Sequence, residues 1–273
     1  MVAHGFPPGE GLAVARECER RVRELGAVPA MVAILDGALR VGLAGPELER
    51  VAAAGTEARK VGPRDVGVCI VQRALGATTA GGTLVACRIA GIRFLATGGI
   101  GGVHRGYAEL PDVSADLLEL SRVEVLVTCS GVKSLLDVLA TTELLETLGV
   151  PVLGWRTAQL PLFYSASGGP PVSARVEAVE EVAEIATAHW ELGRGSAVVL
   201  ARPSEPEIAE VEPLIEEALT AARAERVSGQ ALTPFVLAYL HEQSGGKTLE
   251  VNRRLAADNA ALAAEIAVAY AAR

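Results

Sequence analysis

FLATGGIGGVHRG (Phe94–Gly106) and, shortly after it, EVLVTCSGVKSLLD (Glu124–Asp137) decide how this chain folds. The apolar run Ile92–Ala96 ends in a glycine-rich turn that carries His104 and Arg105, and the run Val123–Val127 delivers Lys133 just beyond its end. Short apolar runs bounded by glycine and polar residues read as buried strands. Two such runs, each opening into a polar loop, place a site at the carboxyl ends of the strands of an α/β sheet.

Working outward, the 273 residues suffice for one substantial α/β domain. Half are hydrophobic and only 4% aromatic, which favours close packing of small side chains. A formal charge of -8 argues against a nucleic-acid binder, whose affinity rests on cationic neutralisation of phosphates. Cys18, Cys69, Cys87 and Cys129 lack metal or redox spacing and read as reduced, buried thiols, with Cys129 near Lys133 the one candidate for touching a site. With no cationic leader and no apolar run of membrane-spanning length, a cytoplasmic location is expected.

Periodicity predicts helices over Leu12–Leu25 and Pro46–Ala54, and strands at Met31–Leu35 and Val66–Val71, with Asp36-Gly37 as a turn and Lys60 in a linking loop. A helix is expected to begin in GATTAGG (Gly76–Gly82) and run toward Ala90, with Thr78 and Thr79 capping it or lending hydroxyls to an anion site. Further on, Ser114 caps a short helix, and two short helices follow Lys133, the second opening at Thr141 or Thr142. Then come a strand at Pro151–Trp155, an acidic helix over Val176–Leu192 and a strand within Ser196–Pro203. Helices are expected over Glu207–Arg226, after Pro234, and over Leu249–Ala271. The alternation predicts one continuous domain, residues 1–273, with helical layers about a sheet.

Three features carry chemistry. Thr97, Gly98, Gly99, Gly101 and Gly102 let backbone N–H groups approach a ligand, and with His104 and Arg105 they suggest a phosphate cradle. The turn lacks the GK[ST] of a P-loop and the GxGxxG of a dinucleotide site. Asp112 and Asp116, four apart, are either favourable acids in a first helical turn or a ligand for a hard divalent ion. Lys133, between a strand exit and an expected helix start, sits where burial and the helix field favour a neutral, nucleophilic amine.

Eight motifs in order, from HGFP at His4 through AVPAMVAILDG (Ala27–Gly37), GATTAGGT (Gly76–Thr83), the two central segments with DVSADLLEL (Asp112–Leu120) between them, TPFVLAYL (Thr233–Leu240) and VNRRLAADNAALA (Val251–Ala263), resemble the pseudouridine-5'-phosphate glycosidase family, which includes indigoidine synthase A-like proteins. The resemblance implies an α/β/α sandwich with a central mixed sheet, a homotrimer, and a manganese-dependent, reversible cleavage of pseudouridine 5'-phosphate to uracil and ribose 5-phosphate. It implies Lys133 as the lysine that forms the adduct with ribose, Asp116 as the metal ligand, and Lys60 and His104 as residues of the catalytic pocket. Thr79, Thr97, Gly98, Gly99, Arg105 and Asn252 would meet substrate or phosphate. A synthase joining ribose 5-phosphate to another heterocycle and a catalytically weakened sugar-phosphate binder are the alternatives.

The family pattern also has a strand bearing a glutamate just before the HG segment. Here Met1 stands three residues before His4, FPPGEG follows HG in place of the usual residues, and Glu10 lies on the wrong side of the motif to substitute. The expectation is an incomplete start, with another acid or lost catalysis as alternatives, and an unfilled slot or bare sheet edge where that strand would lie.

Overall fold

The computed structural model describes residues 2–7, 9–208, 211–227 and 229–273. In chain order its elements are α1 (Glu10–Glu24), β1 (Val32–Leu35), β2 (Ala38–Val41), α2 (Gly45–Ala54), β3 (Arg59–Val61), α3 (Val66–Val71), β4 (Gly76–Thr78) and α4 (Ala80–Ala90). The central part holds β5 (Phe94–Ala96), β6 (Val103–His104), α5 (Ala115–Leu120), β7 (Leu126–Cys129), β8 (Leu136–Asp137) and α6 (Val138–Thr147). The chain continues through β9 (Val152–Trp155), β10 (Ala174–Val176), α7 (Val179–Glu191), β11 (Val198–Ala201), α8 (Val211–Ala224), α9 (Leu232–Gln243) and α10 (Lys247–Ala271).

The central sheet has the order β10-β9-β11-β7-β5, and every pair in it is parallel. Parallel strands are covered on both faces, and the alternation along them shows how. Leu126, Val198 and Leu200 join Val182, Ala186 and Trp190 of α7 and Leu262 and Ile266 of α10 in one core. Their neighbours Val127, Cys129, Val199 and Ala201 point the other way, into a core shared with Leu117 and Leu120 of α5, Leu145 of α6 and Ile215 of α8. The α/β class expected from the sequence is therefore what the chain adopts.

Mixed pairing belongs to a second sheet, β2-β1-β4-β3, in which only β3 and β4 run parallel. Asp36 and Gly37 join β1 to β2 with φ of 53 and 82, the two positive angles that a tight hairpin turn demands. β5 is the edge strand of the central sheet, and beside it lies a cavity of about 290 Å³ lined in part by Phe94, Leu95, Ala96, Ala256 and Ala260.

Several elements differ from expectation. Val66–Val71 is a helix, although its β-branched residues suit a strand: Val66 and Cys69, three apart, are buried while Val68 and Val71 are exposed, which is a helical period. Gly76–Thr78 is a strand, and α4 starts only after Thr79, whose hydroxyl caps it by accepting from the N–H of Gly82 at 3.1 Å. Lys60 lies within β3, not in a loop. A single helix, α6, replaces the two expected after Lys133, with Asp137 as its cap through the N–H of Ala140 at 3.0 Å. Val176 closes a strand before α7 begins at Val179. The expected start of the helix over Glu207–Arg226 runs through residues outside those described; α8 is described from Val211.

Candidate active site

The site is built where β5 and β7 end. Beyond the strands the two chains stay paired: Thr97 N–H donates to the Thr128 carbonyl at 3.0 Å, Ser130 N–H to Gly98 at 2.8 Å, Ile100 N–H to Gly131 at 3.1 Å and Lys133 N–H to Ile100 at 3.2 Å. This ladder fixes the lysine loop against the glycine turn. Lys133 is thus held by strand extension; α6 begins at Val138, so no helix N-terminus lies at the lysine, and the expected helix field does not act on it.

Glycine is required in the turn because other groups occupy the space a side chain would take. A β-carbon on Gly99 would lie 2.6 Å from the Phe163 ring, and one on Gly101 2.2 Å from the Ser114 hydroxyl. Asn259 secures the turn from α10, donating to the Thr97 carbonyl at 2.9 Å and to Ser130 Oγ at 3.1 Å.

A cavity of about 140 Å³ opens over this ladder, lined by Lys60, Lys133, Thr79, Thr97, Gly98, Gly99 and Asn252 among others. Seven of the ten residues that the resemblance named therefore line one cavity, while His104, Arg105 and Asp116 do not. Burial, with the charge of Lys133 second, lowers the Lys60 amine from 10.5 to about 8, and Asp116 opposes the shift. Burial likewise lowers the His104 imidazole, with the two lysines adding to the effect and Asp112 resisting it. His104 Nε2 stands 4.0 Å from Asp112 Oδ2. His104 is not among the residues that line the cavity, yet the charges of both lysines reach it.

Arg105 does not join the cradle. Its guanidinium pairs with Glu212 at 2.6 Å and with Glu216, and donates to the Ser134 carbonyl at 2.8 Å. Those acids and carbonyls engage its donors, and it does not line the cavity that holds Lys60 and Lys133. Asp116 is likewise engaged: one carboxylate oxygen accepts from Gly81 N–H at 2.7 Å and the other from Gly101 N–H at 2.9 Å, with the residue 4% exposed. It ties the start of α4 to the glycine turn. Asp112, the other acid of the pair, is the more open, with 29% of its side chain accessible.

Sequence reasoning missed His4 and Phe6 as cavity-lining residues, whereas Phe163, read from LPLFYSASGG as part of a pocket rim, does line the cavity. Only the position of His4 in a quoted motif signalled it; burial lowers its imidazole, the nearby Lys60 charge adds to this, and its Nε2 is buried without a partner. The thiols behave as expected, all four being free and buried, and burial pushes Cys129 up to about 12, leaving it inert.

Among the described residues no group of three or more His, Cys, Asp or Glu side chains is placed to hold a metal. What the site offers a hard cation is the open Asp112 carboxylate beside His104 and the remaining lone pairs of Asp116, whose oxygens each accept one backbone N–H. That set fits one loosely held, mostly hydrated ion.

Known proteins resemble this chain along nearly its whole length. The family model for indigoidine synthase A like proteins matches residues 1–269. Proteins named pseudouridine-5'-phosphate glycosidase from Sorangium cellulosum and Streptomyces griseus are 46% and 47% identical, over 98% and 99% of this chain and 86% and 85% of theirs. An indigoidine synthase A-like protein from Thermotoga maritima superposes with a TM-score of 0.90 at 38% identity, over 98% of this chain and 89% of that one. The prealnumycin C-glycosynthase AlnA, solved with ribulose 5-phosphate, gives 0.89 at 36% identity, over 99% and 89%.

Proposed function

Because this chain belongs to the indigoidine synthase A-like family, we propose that it makes and breaks the C–C bond between ribose 5-phosphate and uracil, the reversible cleavage of pseudouridine 5'-phosphate. The observation that carries this reading is the pair Lys60 and Lys133 in one cavity beside a glycine turn. Two amines facing a small enclosed space repel each other and are relieved by a dianion, which a sugar phosphate supplies.

A C–C bond has no heteroatom leaving group, so its cleavage needs the protonated heterocycle to take the bonding electrons and a donor at C1' to replace them. As electrons from the uracil form a double bond to C1', the C1'–O4' bond breaks, O4' leaves as a hydroxyl, and the Lys133 amine adds at C1'. Protonation of uracil at C5 then breaks the C–C bond, and its electrons are replaced at C1' by those of the amine, leaving an iminium. Water hydrolyses the iminium to ribose 5-phosphate and restores the lysine. Lys60, lowered to about 8, can hold or release a proton near neutral pH, and its cationic form offsets phosphate charge. Gly98, Gly99 and Thr97 bring backbone close to the substrate, and Asn252 presents an amide to it.

A divalent ion, manganese in the family resemblance, would be held at Asp116, as the resemblance implies, or at the more open Asp112 beside His104, and it would supply charge stabilisation for sugar and phosphate oxygens. Asp116, each of whose oxygens accepts one backbone N–H, also ties two loops together and keeps a lone pair on each oxygen. A homotrimer is proposed on the same resemblance.

The test is intact-mass analysis after incubation with ribose 5-phosphate, manganese and borohydride. An adduct mapped to Lys133 and absent from Lys133→Ala is expected; an adduct that persists at full yield in that variant rejects the nucleophile. The similarity to a C-glycosynthase solved with a pentulose phosphate favours a second reading, synthesis with a different planar acceptor. Product analysis with uracil against other heterocycles separates the two.

A further inference from the structure

Lys133 opens a tight turn: the N–H of Leu136 donates to the Lys133 carbonyl at 3.0 Å, closing Lys133 to Leu136 as four residues. Before the lysine, the loop is fixed by its ladder with the glycine turn. After it, β8 follows at once and pairs Leu136 with His104 of β6. That pairing brings Arg105, the next residue along, beside the turn. Its Nη2 donates to the Ser134 carbonyl at 2.8 Å and its Nε to the Leu136 carbonyl at 3.4 Å, so one guanidinium clasps two carbonyls of the turn that the lysine begins.

The clasp has an anchor. Nη1 of the same guanidinium pairs with Glu212 at 2.6 Å and with Glu216, which stand four apart on α8. Their side chains are 61% and 54% accessible, and ion pairs this open contribute little to stability. Their effect is geometric: with Nη1 held by carboxylates, the rigid plane of the guanidinium keeps Nη2 and Nε aimed at the turn.

We infer that Arg105 is a positioning residue for Lys133: by clasping the turn from Lys133 to Leu136 and resting on α8, it fixes the backbone from which the amine reaches the sugar. Lys133 lines the catalytic cavity and Arg105 does not, so Arg105 acts through the turn and not on the substrate. A lysine side chain has four rotatable bonds, and its aim depends on the backbone that carries it. Misplacing a reacting group by about 1 Å costs on the order of a hundredfold in rate. The inference rests on the proposed reaction for the role of Lys133 alone.

Arg105→Met keeps the length and removes the donors. At saturating ribose 5-phosphate it should slow formation of the borohydride-trapped Lys133 adduct by about tenfold or more. Affinity for ribitol 5-phosphate, which has no carbonyl to form an adduct, should stay as in the wild type; a residue that met phosphate would lose that affinity instead. Arg105 lines a cleft of about 520 Å³ with Ser134, Leu136 and Glu212, so a small guanidinium can enter once the side chain is cut short. Methylguanidinium should therefore restore trapping in Arg105→Ala and leave the wild type unchanged. Glu212→Gln with Glu216→Gln, both on the surface, should slow trapping in the same direction and add nothing in the Arg105→Met background. Trapping at the wild-type rate in Arg105→Met, or a loss that lies wholly in affinity for ribitol 5-phosphate, would overturn the inference.

Amide hydrogen exchange gives a readout independent of turnover. In Arg105→Met the Leu136 amide, which closes the turn, should exchange about tenfold faster, while the Thr97 and Ile100 amides in the ladder keep their protection. The glutamate double variant should show the same local loosening, which keeps the test open if Arg105→Met loses its fold. Leu136 protection unchanged in a folded variant, or a loss spread evenly over the ladder, would reject the inference whatever the activity. Wild-type protein that forms no adduct with ribose 5-phosphate would instead count against the proposed reaction.

Discussion

Lys60 shows how much a single placement decides. In the unfolded chain its amine holds a proton up to about 10.5, whereas in the folded cavity burial and Lys133 bring that down to about 8. Between those values the unfolded state binds more protons, so the contribution of Lys60 to stability rises with pH from about 8 to 10.5. An anionic ligand has the reverse effect, since phosphate beside Lys60 favours the protonated amine. Binding of ribose 5-phosphate should therefore take up a proton above pH 8 and weaken as pH rises further. Calorimetry in two buffers of different ionisation enthalpy measures that uptake, and Lys60→Met should abolish it; uptake unchanged in the variant assigns the proton elsewhere. Nothing in the local sequence EARKVGPRD foretold this, because a lysine in a polar stretch is ordinarily solvated. Its pairing in β3 against Ala77 of β4 is a long-range event, legible only by resemblance.

At the scale of elements, the two acids four residues apart divide the labour. Asp116 joins the first turn of α4 to the glycine turn, and removing its carboxylate strands the N–H groups of Gly81 and Gly101 in a buried place. Asp116→Ala should cost about 3 kcal/mol of folding stability by urea denaturation, taking a charged acceptor and two unsatisfied donors together. Asp112→Ala should leave the midpoint nearly unchanged and weaken the response to manganese. A normal metal titration in Asp112→Ala would move the ion elsewhere. The spacing in the sequence showed that one of the pair could be a ligand, and the resemblance favoured Asp116; its ties to two distant glycines were not legible there. The same limit explains α3, where the β-branched run Val66–Val71 resembles a strand until the burial of Val66 and Cys69 is known. The strand exits and capping residues Thr79 and Ser114 were legible because their signals are local.

Across the whole molecule, the sheet with helices on both faces followed from alternation, while the division into a parallel central sheet and a smaller mixed one did not, since strand partners are chosen by tertiary packing. The surface next to the site points to assembly. Tyr107, Leu110, Val113 and Leu118 are 48%, 61%, 37% and 45% exposed, all within the stretch that follows His104 and surrounds Asp112. Apolar side chains concentrated on one segment mark an interaction surface more often than scattered ones do. If copies of the chain meet there, association covers the rim that carries Asp112, and the site's dielectric and its hold on a cation both depend on it. Light scattering should then give a mass near three times 28.2 kDa. Leu110→Glu should lower that mass and weaken manganese dependence together, leaving the fold intact by circular dichroism. A wild-type mass of one chain at micromolar concentration would reject the trimer. Dissociation by Leu110→Glu with unaltered metal response would keep the trimer but separate it from the chemistry.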